Sequence, residues 1–203
     1  MAARQPNTDG RVARGERTRE SIVAAHTALL REGDLKPTGS RIAARAGVSV
    51  RTLWLNFTDL EALLGETTAY WLAADDLLGQ PIDPGLPLAE RIDAYCAQRI
   101  RRLENIAPAA RAARLGEPFS PALRESRRNH VTRVRSEIES VFGTELDASG
   151  ARRGLLVHGV VVAAGWAAWE MLRDDFGVEV DEAAAVMRQT IGVLLGAGSP
   201  PAA

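Results

Sequence analysis

Residues 38–57 read TGSRIAARAGVSVRTLWLNF, and this stretch holds the side chains best suited to recognition chemistry. Two short helical segments around Gly47 have helix-turn-helix spacing. Ile42, Ala43 and Ala46 fall on the inner face of the first segment. Val48, Leu53 and Phe57 fall inward from the turn and the second. Gly47 supplies a turn conformation that a side chain would penalise. Ser49 is an N-cap for the second segment, whose first amides can then face a phosphate. Val50, Arg51, Thr52 and Trp54 lie on the exposed side of that segment. An arginine near the start of such a helix can donate two hydrogen bonds to a guanine edge in a major groove. The expected DNA-contact set is Thr38, Ser40, Arg41, Ser49, Val50, Arg51, Thr52, Trp54 and Asn56.

Other chemistry finds little support. There is no Gly-rich phosphate loop after a strand, no His-Glu-x-x-His, no nucleophile elbow and no inward pair of carboxylates. The three histidines, at 26, 130 and 158, are too scattered for a metal cluster. Cys96 is the single cysteine, so it forms no internal disulfide and reads as a small core hydrophobe. No catalytic residue, metal or cofactor is expected. Candidates for contact with a small molecule are Tyr95, Arg99, His130, His158 and Trp166, all in the C-terminal half.

The 203 residues carry 25 basic and 26 acidic side chains, and 46% are hydrophobic. That is enough apolar material for a real core, and it excludes a disordered chain. Bulk charge does not argue for nucleic acid, so the argument has to come from where the charges sit. Five arginines (Arg4, Arg11, Arg14, Arg17, Arg19) fall in the first 19 residues. The N-terminus, MAARQPNTDGRVARG, lacks the apolar region of a signal peptide. The longest apolar run, Gly154 to Trp169, is short for a membrane span and reads as a buried helix. A cytoplasmic protein with no membrane partner is expected.

The elements needed to position these residues are all helical, about nine in number, with no sustained period-two alternation. A basic arm over 1–14 is expected to be disordered. The first helix should run from Glu16 to Arg31, stopped by Gly33. Helices over Thr38–Ala46 and Val50–Asn56 follow. Thr58 and Glu61 have the spacing of a capping box opening a helix to Leu78. A Pro- and Gly-rich stretch from Gly79 to Pro87 is the expected boundary, separating a domain over 15–75 from one over 80–196. Beyond it, helices are expected over Leu88–Glu104, Pro108–Leu115, Ser120–Phe142 and Ser149–Arg173. A last one, capped by Asp181, should end near Leu195, before a flexible tail over 197–203. Within the helix expected over Ser149–Arg173, GLLVHGVVVAAGWAAWEML is apolar nearly all round. Its small residues, among them Gly159, Ala163 and Ala164, would admit close helix approach.

From Glu16 to Gly33, through IAARAGVS (42–49) and TLWLNF (52–57), to Thr58-Asp59-Leu60-Glu61-Ala62-Leu63, the chain resembles the TetR family of bacterial transcriptional regulators. The resemblance covers residues 15–75. It implies an N-terminal three-helix helix-turn-helix domain and a helical C-terminal domain that binds an effector and dimerises. It further implies a homodimer formed through the last two helices, a palindromic double-stranded operator, a repressor role and a small, mostly apolar effector. Three positions depart from the family pattern: Trp54 replaces a common tyrosine, Asn56 a common histidine, and Leu60 a lysine that usually meets the DNA backbone. The alternative is a helical small-molecule-binding protein that has lost specific DNA reading.

Overall fold

The computed structural model describes residues 8–196; the expected tail over 197–203 and the first seven residues of the expected arm lie outside the described residues. Every regular element among the described residues is helical. They are α1 (Thr8–Arg31), α2 (Gly39–Ala46), α3 (Val50–Asn56), α4 (Leu60–Leu77), α5 (Leu88–Gly116), α6 (Pro121–Val141), α7 (Gly143–Ala148), α8 (Arg153–Ala163), α9 (Trp166–Glu170) and α10 (Val180–Leu195), with a 3-10 turn over Gly150–Arg152 and a π-helical turn over Met171–Asp175. The all-α expectation stands.

Several boundaries differ from expectation. The arm is helical from Thr8, where disorder to residue 14 was expected. Ala13 and Arg14 are good helix formers, but the sequence carries no apolar stripe over this stretch and Val12 is exposed, so periodicity is silent there. α4 is capped by Asp59, whose Oδ1 accepts from Ala62 N at 2.7 Å, and not by the Thr58–Glu61 box. Thr58 instead donates to Asp59, and Glu61 accepts from the Ser120 hydroxyl at 2.5 Å. α10 begins one residue before Asp181, with no side-chain cap, so Asp181 acts on the helix dipole from the first turn.

The chain forms two compact units, one of residues 1–74 with 107–123 and one of 75–106 with 124–203. The first unit thus takes in residues 107–123 besides the N-terminal stretch. The second half of α5 joins the N-terminal unit because Ala109 and Ala112 pack with Leu30 and Trp71. α5 runs unbroken through Pro108, where two helices were expected. An internal proline costs about 3 kcal/mol; burial of Leu103 and Ile106 before it, and of Ala109 and Ala112 after it, offsets that cost.

In the first unit, Ile22, Val23 and Leu29 of α1 meet Ile42 and Ala43 of α2, Leu53 and Phe57 at α3, and Leu63 of α4. Gly47, at φ 68°, ends α2 in the left-handed region and makes the turn into α3. His26, also buried, ties α1 to α4. The Thr67 hydroxyl donates to Leu63 C=O at 2.9 Å, so it accepts from His26 Nδ1–H at 2.8 Å.

The second unit centres on Tyr95, Leu103, Ile138, Phe142, Val157, Val160, Trp169, Met187 and Ile191. The Tyr95 and Phe142 rings meet edge to face at 5.4 Å. Cys96 is buried here, and burial pushes its thiol up to about 11. The expected helix over Ser149–Arg173 is broken: α8 ends at Ala163 and α9 starts after Gly165. Gly165 adopts ψ 157°, and a Cβ there would lie 3.0 Å from Val161 C=O. No single helix among the described residues is long and apolar enough to cross a membrane.

Candidate nucleic-acid interface

The turn between α2 and α3 is held by local chemistry. Thr38 caps α2, accepting from Arg41 N, and its hydroxyl lies 3.0 Å from that of Ser40. Ser49 caps α3, accepting from Thr52 N at 3.0 Å, with the two hydroxyls 2.8 Å apart. The caps fix the starts of both helices, so the side chains beyond them have defined directions.

α3 buries Leu53 and exposes Val50, Arg51 and Trp54. The Trp54 indole lies over the start of α2, so close that a Cβ on Gly39 would sit 2.6 Å from its Cζ2. Thr38, Ser40 and Trp54 are thus brought together with the exposed face of α3. Two expected contacts are partly spent within the protein. Asn56 Nδ2 donates to Thr52 C=O at 2.8 Å, and Arg41 pairs with Asp34 at 2.8 Å. Arg45 is likewise engaged with Glu32, which holds that exposed carboxyl below its ordinary range.

Arg19, read from the sequence only as one of an arginine-rich arm, has a positioning role. Its guanidinium donates to Asn56 C=O at the end of α3, pairs with Glu66 of α4 (Nε to Oε2, 2.8 Å) and stacks 4.2 Å above the Phe57 ring. A cation at the C-terminal end of α3 complements the helix dipole. The signal for it was its position three residues before Ile22, on the inner face of α1. Leu60, 38% exposed in the first turn of α4, lies outside the packed hub.

The small-molecule candidates divide. Tyr95, Arg99 and His130 are brought together in the second unit: Tyr95 and Arg99 are one turn apart on α5, and Arg99 Nη2 lies 3.3 Å from His130 Nε2. Trp166, half-buried at the start of α9, packs against the same core. His158 does not join them. It is exposed on the outer side of α8, because the side of that helix carrying Val157 and Val160 takes the core. Sequence reasoning missed Arg102, Asp75 and Glu137. Arg102 is buried and binds Asp75 Oδ2 at 2.8 Å and Glu137 Oε1 at 2.8 Å.

Two imidazoles, His26 buried and His130 half-buried, set a pH dependence. Burial pushes His26 down to about 4, and burial with the cations of Arg99, Arg133 and Arg102 pushes His130 down to about 3. Both fold neutral, while in the unfolded chain they titrate near 6.5. Below that pH the unfolded chain binds more protons, so stability falls on acidification through this window. Each pKa unit is worth about 1.4 kcal/mol. Melting scans should show several kcal/mol lost between pH 6.5 and 4, part of it removed in His26→Gln. A flat profile there would mean that the imidazoles are protonated in the fold.

No family model matches the chain, and no curated protein matches it. Solved structures do. A TetR-family transcriptional regulator from Mesorhizobium loti is 17% identical, with a TM-score of 0.63, over 91% of this chain and 98% of that one. A TetR transcription regulator from Haloarcula marismortui is 18% identical, with a TM-score of 0.65, over 89% of this chain and 97% of that one. With its capped helix-turn-helix and its helical second unit, the chain has the fold of these TetR-type transcriptional regulators.

Proposed function

We propose that the protein is a ligand-responsive, DNA-binding transcriptional regulator of the TetR type, a repressor that binds a palindromic operator as a homodimer. The observation that carries this reading is the exposed face of α3. Val50, Arg51 and Trp54 point outward from a helix whose start is capped by Ser49 and whose end is clamped by Arg19. A short helix held at both ends, with an arginine in its first turn, suits major-groove reading. Thr38, Ser40, Arg41, Ser49, Thr52 and Asn56 flank it as backbone-positioning or base contacts. Two-fold symmetry of the dimer would be matched by two half-sites.

Mobility shifts against the DNA upstream of the protein's own gene test this. Arg51→Ala should cost roughly 1–3 kcal/mol on the specific site and relax preference at one position per half-site. A chain that shifts no DNA would favour the alternative, a helical ligand-binding protein.

Leu60 offers a second check. Its exposure in the first turn of α4 means that a lysine there would not burden the hub. Leu60→Lys should add a phosphate contact per protomer and steepen the salt slope of log K by up to about 2 per dimer. The gain should be nearly independent of sequence, since phosphate contacts position without reading bases. The isolated protein should lose only about 0.3–1 kcal/mol, from a cation near a helix N-terminus. An unchanged slope in a salt series would remove α4 from the DNA face.

A further inference from the structure

The second unit buries an arginine that makes no ion pair with a carboxylate among the described residues. Arg99 is 1% exposed. Its Nε donates to Ala164 C=O at 2.8 Å, at the break between α8 and α9. Nη2 reaches only the His130 ring, and Nη1 is buried without an acceptor. The carboxylates of the same cluster are engaged elsewhere: Asp75 and Glu137 both bind Arg102.

His130 deepens this surplus of donors. Its Nε2 faces Arg99 at 3.3 Å and its Nδ1 faces Arg133 Nη2 at 3.1 Å. A neutral imidazole has one N–H and one lone pair. With a guanidinium on each side, one ring N–H points at another donor and makes no bond. The Tyr95 hydroxyl, one turn before Arg99, is also buried without a partner. One acceptor is left over as well, Asp75 Oδ1, in the carboxylate that Arg102 already holds through Oδ2. Buried unpaired donors are costly, and more so when charged, so natural folds keep them where something else supplies the acceptor.

We propose that Arg99, with Tyr95 and His130, forms an acid-recognition site that takes the carboxylate of a small molecule with an apolar body. The inference rests on the effector-binding reading above and narrows its ligand to a class. A carboxylate has the acceptors that Arg99 Nη1 and the Tyr95 hydroxyl lack, and its charge answers the buried guanidinium. The body would meet apolar surroundings, since Cys96 and Leu103 share this face of α5 and Phe142 packs against Tyr95. A neutral molecule of the same shape would leave the donors unpaired, which is how buried polar groups discriminate strongly.

Titration calorimetry on the full chain tests this with octanoate and benzoate, against 1-octanol and benzyl alcohol. At least one acid should bind saturably at millimolar concentration or below, with its alcohol weaker by about tenfold or more. Arg99→Gln should weaken the acid by on the order of ten- to a hundredfold, and Tyr95→Phe by less. If Arg99→Gln does not fold, the contrast between acid and alcohol in the unaltered chain decides. Equal binding of acid and alcohol, acid binding unchanged in Arg99→Gln, or no binding of either acid would overturn the site. The last would mean that buried water satisfies the donors. Mobility shifts keep the two readings apart. A chain that shifts DNA but binds neither acid loses only the acid site. One that binds an acid through Arg99 but shifts no DNA loses only the regulator reading.

Discussion

Arg102→Met should lower the melting temperature by about 6–20 °C. Arg102 sits between Asp75, which is 0% exposed, and Glu137. Asp75 Oδ2 takes both Nε and Nη2 of the guanidinium. Methionine fits the volume of the arginine stem but leaves the Asp75 carboxylate buried without the cation that binds it. Breaking a buried pair from one side costs about 3–5 kcal/mol, because the remaining charge keeps its desolvation cost and loses its partner. The same logic predicts partial recovery in the double variant Asp75→Leu with Arg102→Met, where neither charge remains. Thermal melts of the three proteins decide the matter. A single variant within a degree or two of the parent would mean that water reaches Asp75. A double variant worse than the single would mean that the cluster contributes more than its charges cost.

Val162→Glu should convert the proposed dimer to a monomer at micromolar concentration and lower operator affinity by orders of magnitude. The reason is an apolar stripe that the protomer leaves uncovered. Leu155 and Val162 of α8 are exposed, Val162 to 68%, as are Val186 and Val193 of α10. α8 and α10 pack on each other, with Gly159 against Leu194, so these side chains share one outer face. His158 lies on that face too. Two glutamates brought together across a two-fold axis would combine desolvation with like-charge repulsion. A monomer would hold one half-site alone and lose the benefit of binding both at once. Val131→Glu, on an exposed position of α6, is the control and should leave the assembly intact. Sedimentation of both variants checks this; a dimeric Val162→Glu would place the interface elsewhere. Gly159→Leu is a poorer probe than the small-residue pattern suggests. A Cβ at Gly159 would meet Leu194 of the same chain at 3.2 Å, so the substitution would strain the protomer itself.

What the sequence determined alone is what depends on neighbours within a turn or two. The N-caps Thr38 and Ser49, the turn glycine Gly47 and the inward spacing of Ile42, Leu53 and Phe57 are local, so the helix-turn-helix was legible to within a residue or so. The starts of α5 and α6 were equally legible, and so was the burial of Cys96. Tertiary structure decided the rest, because the deciding partners are far along the chain. Pro108 stays inside a helix because apolar burial on both sides outweighs its local cost. The apolar run Gly154–Trp169 reads as one helix, but it breaks at Gly165, where Arg99, 65 residues before Ala164, donates to the Ala164 C=O. The pairing of Arg102 with Asp75 spans 27 residues, and that of Arg19 with Glu66 spans 47. Helical periodicity assigns a charged residue to solvent by default, and only the packed fold reveals that Arg102 and Arg19 turn to carboxylate partners, while Arg99 turns inward with one nitrogen still unpaired.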